Sequence, residues 1–237
     1  MSGRIAEIDW QSTPWGEISL RRRHDPVLDR EVFEVLLGDE YLMSSSFTAA
    51  EEELASAALD SVSGNELRVL VGGLGLGHTA REVLRDGRVS QMTVVDAIAP
   101  VISWHRRGLV PLGLEVSGDA RTHLFEGDFF DLVQHRGGPC AESSWDAVIV
   151  DIDHSPRHNL APGNEWLYTD AGTRALAALL DDEGVFALWS NDPPDEEYLQ
   201  VLRGTFAHVS SRIVSFANPL QDRVATNTVY VAQVGEK

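Results

Sequence analysis

The 237-residue sequence predicts an α/β fold: a doubly wound, mostly parallel sheet of seven strands with an antiparallel edge, preceded by a small β-rich segment. From residue 67 onward, short β-branched apolar runs alternate with helical stretches, which is the pattern of a parallel sheet covered on both faces. The last two apolar runs have no helix between them, which predicts an antiparallel pair. Before residue 67 this alternation is absent, and extended segments separated by turn residues predict hairpins.

Residues 1–62 are predicted to form an N-terminal unit of β-hairpin strands and one helix. Segments 15–20 and 31–37 have the alternation and the following turn residues of strands. Thr48 then stands where a helix N-cap belongs, and Glu51 follows three residues later. This spacing predicts a capping box at the start of the helix.

Residues 63–237 are predicted to form the second unit, a nucleoside-binding catalytic domain. Its predicted strands are 68–71, 92–96, 122–126, 145–151, 184–190, 211–216 and 228–233. Its predicted helices are 79–84, 100–107, 172–180 and 196–204. In such sheets, ligands bind at the edge where the carboxyl ends of the parallel strands meet.

The charge balance restricts the possible partners. Acidic residues outnumber basic ones by 37 to 19, which gives a formal net charge of −18. Nucleic acids are excluded, because proteins that bind them need a basic surface that displaces counterions. A small cationic molecule would be attracted to this protein, although an acidic surface can also serve solubility alone.

A single cysteine, Cys140, excludes an internal disulfide and a thiolate metal cluster. The first 30 or so residues contain no apolar segment typical of a secretory signal peptide. No apolar run reaches about 18 residues, the length that a membrane-spanning helix needs. We therefore expect a cytoplasmic protein that is neither exported nor embedded in a membrane.

The strongest motif is a glycine-rich segment that links the first predicted core strand to a helix. Gly73, Gly75 and Gly77 would let the backbone turn tightly and approach a ligand beside the N-terminus of the helix. The spacing Gly75-x-Gly77-x-x-Ala80 fits the motif of dinucleotide-binding proteins. The spacing Gly73-x-Gly75-x-Gly77 fits the motif of proteins that bind S-adenosylmethionine. The motif predicts a nucleotide-like ligand without choosing between the two.

Acidic residues follow the next two predicted strands. Asp96 stands where a carboxylate can accept hydrogen bonds from ribose hydroxyls, and it is predicted to contact the cofactor together with Ala97. Gly127 and Asp128 are predicted to contact an adenine amino group. The alternatives are a helix N-cap at Asp96 and an Asx turn at Asp128.

The segment after the fourth core strand is crowded with titratable groups. Asp151 lies at the carboxyl end of a central strand, and we predict that it contacts the cofactor and acts as a proton acceptor, with Asp153 as a second catalytic acid. His154 and His158 make a divalent metal site conceivable, and a solvated polar loop is the other alternative. The prediction favours catalysis without a metal.

Together these residues resemble the spermidine synthase family, the polyamine aminopropyltransferases. The resemblance is carried by the glycine segment with 81–84, and by 95–96, 127–130 and 146–151. It implies a Rossmann-like, methyltransferase-like sheet with an N-terminal β-rich part, frequently dimeric. It further implies aminopropyl transfer from decarboxylated S-adenosylmethionine to a cationic amine such as putrescine, with release of methylthioadenosine. In that family's terms, Asp96 holds ribose, Asp128 adenine, and Asp151 assists deprotonation of the amine.

The sequence departs from the family pattern at three places. Leu76 replaces an aspartate that binds the amino group of the donor, and His154 replaces a second acid, for which Asp153 is the candidate substitute. Residues 51–53, all glutamate, replace Tyr-His-Glu near the amine. Two alternatives therefore stay open: a methyltransferase that uses intact S-adenosylmethionine, although Val71 stands where that class usually has an acid, and a non-catalytic adenosyl-binding homologue.

Overall fold

The computed structural model describes residues 5–141 and 144–235 and contains two β-sheets. The N-terminal sheet is antiparallel, with its four strands in sequence order. These strands are β1 (Ala6–Thr13), β2 (Gly16–Asp25), β3 (Arg30–Leu37) and β4 (Glu40–Ser44). The hairpin strand predicted at 15–20 overlaps β2 except for Trp15, and the one predicted at 31–37 lies within β3. β1 and β4 were not predicted as separate strands.

The main sheet has seven strands in the order β10-β11-β9-β8-β5-β6-β7. They are β5 (Leu67–Gly72), β6 (Val89–Asp96), β7 (Thr122–Glu126), β8 (Trp145–Val150), β9 (Leu180–Ser190), β10 (His208–Asn218) and β11 (Arg223–Gln233). β11 is antiparallel to both β9 and β10, and the pairings among β7, β6, β5, β8 and β9 are parallel. The predicted fold class is confirmed.

Helices cover both faces of the main sheet. The described residues form α1 (Ala49–Asp60), α2 (His78–Arg85), α3 (Ala99–Arg106), α4 (Gly113–Gly118), α5 (Phe129–His135), α6 (Asp170–Ala177) and α7 (Glu196–Arg203). The short helices α4 and α5 were not predicted. Within 5–141 and 144–235, no helix combines the length and the apolar character that crossing a membrane requires.

Alternating side chains of the interior strand β5 pack on opposite faces of the sheet, where the core forms two clusters. Val69 and Val71 of β5 pack in one apolar cluster with α1, α2 and α3, and Leu70 packs in the other with α5, α6 and α7. This is the two-residue period of a strand buried on both faces. β5 is thereby buried in the interior of the sheet between β8 and β6, and its last residue, Gly72, leads directly into the glycine-rich segment.

Helix α1 connects the two sheets and begins differently from the prediction. Thr48 is its N-cap residue, but its side chain makes no hydrogen bond to the helix backbone. The Thr48 hydroxyl instead donates to Glu52 Oε1 (3.1 Å). The predicted capping box between Thr48 and Glu51 is therefore wrong. Helix α1 also packs on α2 and on strands β9 and β11 of the main sheet. The boundary between the two units after residue 62 stays a prediction.

Candidate functional site

The glycine-rich segment makes a tight turn against the end of β8. Gly73, Gly75 and Gly77 have φ angles of +96°, +49° and +89°, in the left-handed region that glycine adopts readily. A Cβ atom at Gly73 would lie 2.1 Å from the Asp151 carbonyl oxygen. The segment that would hold a ligand is therefore in direct contact with Asp151, the predicted proton acceptor.

Asp96 ends β6 beside this turn and holds its backbone. Its Oδ2 accepts a hydrogen bond from the Leu74 amide (3.0 Å), and its Oδ1 accepts one from the Ile98 amide (2.8 Å). Burial raises the pKa of this carboxyl group, against the lowering effect of these amides. Asp96 therefore orders the glycine turn and presents its carboxyl group at the edge of the sheet.

A first cavity lies between this edge and the N-terminal sheet. Six of the predicted site residues line it: Gly73, Gly75, Asp96, Ala97, Asp128 and Asp151. Its roof comes from the N-terminal sheet, through Trp15, Leu37, Leu42 and Met43, none of which was predicted. The aromatic side chains of Phe129 and Phe130 complete an apolar wall.

Gly127 and Asp128 occupy different positions relative to this cavity. The Gly127 amide donates to the Asp96 carbonyl oxygen (3.0 Å), and Gly127 does not line the cavity. Asp128 caps α5, since its Oδ1 accepts from the Phe130 amide (2.9 Å) and the Asp131 amide (3.3 Å). Its Oδ2 accepts no hydrogen bond from the described residues, so this atom could receive one from a ligand.

A second cavity adjoins the first and shares five lining residues with it: Leu42, Met43, Gly75, Asp151 and Ile152. Its remaining lining combines apolar and titratable residues: Ser44, Phe47, Glu51, Leu74, Leu76, Gly77, His78, His154 and Trp189. Glu51, predicted to belong to a capping box, contributes to this lining. The site thus has two compartments, and Asp151 borders both.

Asp151 is held in a fixed orientation at this border. Its Oδ2 accepts a hydrogen bond from the Thr79 hydroxyl (2.7 Å), and its amide donates to the Gly72 carbonyl (2.8 Å). Burial raises the pKa of Asp151 to about 6, although the bond from Thr79 opposes the shift. The pKa of Glu51 is raised further, by burial and by the nearby Asp151 carboxylate. A carboxyl group that titrates near neutral pH is suited to accept a proton.

Asp153 lies outside both cavities, contrary to the second catalytic role predicted for it. Its side chain is 1% exposed. Its oxygens accept hydrogen bonds from the Leu160 amide (2.7 Å), Asn164 Nδ2 (2.9 Å), the Tyr168 hydroxyl (2.8 Å) and Asn159 Nδ2 (3.3 Å). The reason is that the strand ends at Val150, so the two-residue alternation that would align Asp153 with Asp151 is lost. Asp153 instead anchors the following loop.

This anchoring predicts a stability effect. We expect Asp153→Asn to lower the free energy of unfolding by about 2–3 kcal/mol, because an amide cannot accept all the hydrogen bonds that the buried carboxylate accepts. Chemical denaturation measures the change. Asp170→Asn at the exposed start of α6 is the control, expected within about 0.5 kcal/mol of the unaltered protein. Equal midpoints and slopes for Asp153→Asn and the control would contradict the anchoring role.

The three departures from the family pattern also have defined places. Leu76 is buried in the lining of the second cavity, and His154 Nε2 lies 3.1 Å from Glu40 Oε1. Of the three consecutive glutamates on α1, Glu52 pairs with Arg81 (2.7 Å) and Glu53 pairs with Arg212 (3.1 Å). Glu51 alone among them faces the second cavity.

A cluster of metal-binding side chains is absent from the described part of the chain. Among residues 5–141 and 144–235, no three His, Cys, Asp or Glu side chains converge as metal ligands would. His158 Nδ1 lies 2.8 Å from Asp192 Oδ2 at the surface, and Asp153 is occupied by its own loop. The titratable residues after β8 are therefore dispersed rather than gathered round one ion.

The sequence is similar to one protein family and to several curated proteins. Residues 48–218 match the family described as "Spermine/spermidine synthase domain". Polyamine aminopropyltransferase 2 of Streptomyces coelicolor is 35% identical over 39% of this chain and 16% of its own length. The polyamine aminopropyltransferases of Ruegeria sp. and Sulfolobus acidocaldarius are 30% and 28% identical, over 53% and 60% of this chain and 41% and 44% of their own lengths. The chain thus matches less than half the length of each of these three relatives.

Solved structures of two spermidine synthases are similar to this chain over nearly its whole length. A spermidine synthase in complex with the transition-state analogue AdoDATO has a TM-score of 0.72 at 18% identity, with 98% of this chain and 74% of that chain covered. The spermidine synthase from Thermotoga maritima has a TM-score of 0.71 at 18% identity, with 98% and 73% covered. The likeness establishes a common fold.

Proposed function

Because the chain belongs to the spermine/spermidine synthase family, we propose that it transfers an aminopropyl group from decarboxylated S-adenosylmethionine to an amine such as putrescine. One observation carries this proposal: Asp151 stands at the border of an apolar cavity and a second cavity that contains carboxyl groups. A transferase of this kind needs a nucleoside site and an amine site with a proton acceptor between them.

In this proposal, the first cavity holds the adenosine part of the donor. Asp96 accepts hydrogen bonds from the ribose hydroxyls, and Asp128 accepts one from the adenine amino group through its Oδ2. The backbone of the glycine turn supports the nucleoside beside Ala97, and the side chains of Phe129 and Phe130 supply an apolar surface for the adenine ring. Gly127 contributes through its hydrogen bond to Asp96.

The reaction itself would be a direct displacement. The amine arrives as an ammonium and gives one proton to the Asp151 carboxylate. Its freed electron pair forms a bond to the propyl carbon next to sulfur, while the carbon–sulfur bond breaks and its electron pair stays on the sulfur. The products are neutral methylthioadenosine and a secondary ammonium, and Asp151 then releases its proton to water. The protein supplies alignment and electrostatic stabilisation.

The test is product analysis with two donors. The protein is incubated with decarboxylated or with intact S-adenosylmethionine and a panel of amines that includes putrescine. Methylthioadenosine formed from the decarboxylated donor supports aminopropyl transfer. S-adenosylhomocysteine formed from the intact donor would identify a methyltransferase instead. Binding of the nucleosides without either product would indicate a non-catalytic homologue.

The nucleoside end is tested separately by Asp96→Ala. We expect donor affinity to fall by about 1–3 kcal/mol, because the ribose hydroxyls lose their acceptor in a partly buried site and the Leu74 amide is released. Calorimetric titration with methylthioadenosine measures the change. Asp131→Ala, an exposed carboxylate on α5, is the matched control and should bind as the unaltered protein does. Unchanged affinity in Asp96→Ala would place the ribose elsewhere.

Three further proposals follow from the sequence and from the family. The protein is proposed to act in the cytoplasm. It is proposed to form a homodimer. Asp153 is proposed to order the loop after β8, in place of the catalytic role first predicted for it. The single buried cysteine supports a reducing compartment. Analytical ultracentrifugation tests the dimer, and a monomer at working concentration would contradict it.

A further inference from the structure

The second cavity contains a carboxyl group that the mechanism above does not use. Glu51 lies in the first turn of α1 and lines this cavity together with Asp151. Its neighbours Glu52 and Glu53 are paired with Arg81 and Arg212. Within 5–141 and 144–235, no Lys, Arg or His side chain forms an ion pair with Glu51. Two acids therefore face one compartment, and none of the described residues places a cation there in an ion pair with Glu51.

The other polar groups of this compartment do not supply the missing positive charge. Burial, followed by the nearby Arg81, lowers the pKa of His78 to about 4, so His78 is neutral at neutral pH. His154 lies against Glu40 (3.1 Å). The buried Trp189 Nε1 and His78 Nδ1 atoms have no hydrogen-bond partner in the described residues. Neither atom carries a positive charge at neutral pH, and Trp189 Nε1 is a donor that an ammonium could not satisfy.

Two carboxylates in one partly buried compartment repel each other, so one of them keeps a proton. Two neighbouring acidic side chains are close enough to raise the pKa of Glu51: Asp151 across the cavity and Glu52 on the same helix. The proton resides mainly on Glu51, whose pKa is raised more than that of Asp151. A cation placed between the two groups would remove the repulsion and allow both to ionise.

We propose that Glu51 is the second carboxyl group of the acceptor site, which binds the ammonium of the amine together with Asp151 and loses its own proton when the amine binds. This inference rests on the proposed function and adds a residue to it. The bond that breaks is the O–H bond of Glu51, and the proton goes to solvent. The resulting carboxylate accepts an N–H hydrogen bond from the ammonium, which leaves Asp151 free to take the proton that the reaction releases.

The inference gives the Michaelis constant for the amine a defined pH dependence. Burial and the charge of Asp151 raise the pKa of Glu51 to about 8 in the free protein. Below that pH, binding of the ammonium has to expel a proton, so the amine binds more tightly as pH rises toward 8. Above it, Glu51 is already ionised and the KM should become constant.

Glu51→Gln tests this with Glu53→Gln as the matched control, since both residues lie on α1 and the change is the same. We expect Glu51→Gln to raise the KM for putrescine about tenfold to a hundredfold at pH 8.5, with kcat within about threefold. The fall of KM between pH 6.5 and 8.5 should disappear. Glu53→Gln should retain the KM and its pH dependence. A KM for Glu51→Gln within twofold of the unaltered protein would overturn the inference.

A binding readout separates this inference from the proposed reaction. Putrescine is added to the protein with methylthioadenosine, and thermal unfolding is followed at pH 8.5. We expect putrescine to raise the Tm of the unaltered protein and of Glu53→Gln but not that of Glu51→Gln. This pattern supports the Glu51 site even where no product forms, an outcome that would contradict only the reaction. Equal shifts in all three proteins would overturn the Glu51 site.

Discussion

Replacement of Asp151 by asparagine is expected to reduce kcat about a hundredfold to ten-thousandfold while affinity for the donor stays within about threefold. The amide keeps the shape of the side chain and can still bond to Thr79, but it cannot take a proton from the ammonium. Steady-state kinetics with decarboxylated S-adenosylmethionine and putrescine measure kcat, and calorimetry with methylthioadenosine measures nucleoside affinity. The predicted loss is therefore confined to the chemical step.

The pH profile gives this prediction a second readout. Because burial raises the pKa of Asp151 to about 6, the carboxylate form is lost as pH falls through that value. Beyond the change in KM that Glu51 imposes above pH 6.5, the kcat/KM of the unaltered protein should fall further below about pH 6, and the residual activity of Asp151→Asn should lack this lower step. Asp181→Asn, at an exposed position of β9, should keep both turnover and profile. Full turnover in Asp151→Asn would remove Asp151 from the mechanism.

Replacement of Gly73 by alanine is expected to lower the free energy of unfolding by about 3–5 kcal/mol. Two causes add. The φ angle of +96° is unfavourable for any residue with a Cβ, and the new atom would lie 2.1 Å from the Asp151 carbonyl oxygen. The turn or the end of β8 must move, so nucleoside binding should weaken as well. Chemical denaturation and calorimetry measure the two effects.

Gly64 provides a matched control for the backbone effect. It has the same φ of +96°, but a Cβ atom there would meet no atom within 4 Å. Gly64→Ala should cost about 1–2 kcal/mol, the conformational part alone. The difference between the two variants then measures the close approach of the turn to β8. Equal losses of stability would mean that the contact between Gly73 and Asp151 imposes no constraint.

The main sheet could be predicted from the sequence because its signals are local. Each core strand is a short β-branched run, and the glycine segment follows β5 directly. The positions of Asp96 and Asp151 followed from the rule that ligands lie at the carboxyl ends of parallel strands. These residues stand at the cavity because the backbone of their own strands places them there.

The parts that were mispredicted or missed depend on contacts distant in the chain. Thr48 and Glu51 fit a capping pattern, but packing of α1 against the main sheet leaves Glu51 facing the second cavity. Asp153 lies two residues from Asp151, yet its loop surrounds it with donors. The roof from the N-terminal sheet has no signal in the sequence, because an apolar side chain that lines a cavity resembles one that packs in a core.

The cavity walls differ in how freely evolution or design can alter them. The floor is largely backbone at the ends of β5 and β8, packed so closely that a single added methyl group collides. The roof consists of side chains from the N-terminal sheet, among them Leu42 and Met43, which reach both compartments. Exchange of these two side chains would resize the amine compartment without moving the floor. A library restricted to them is therefore the economical route to variants that accept longer or bulkier amines.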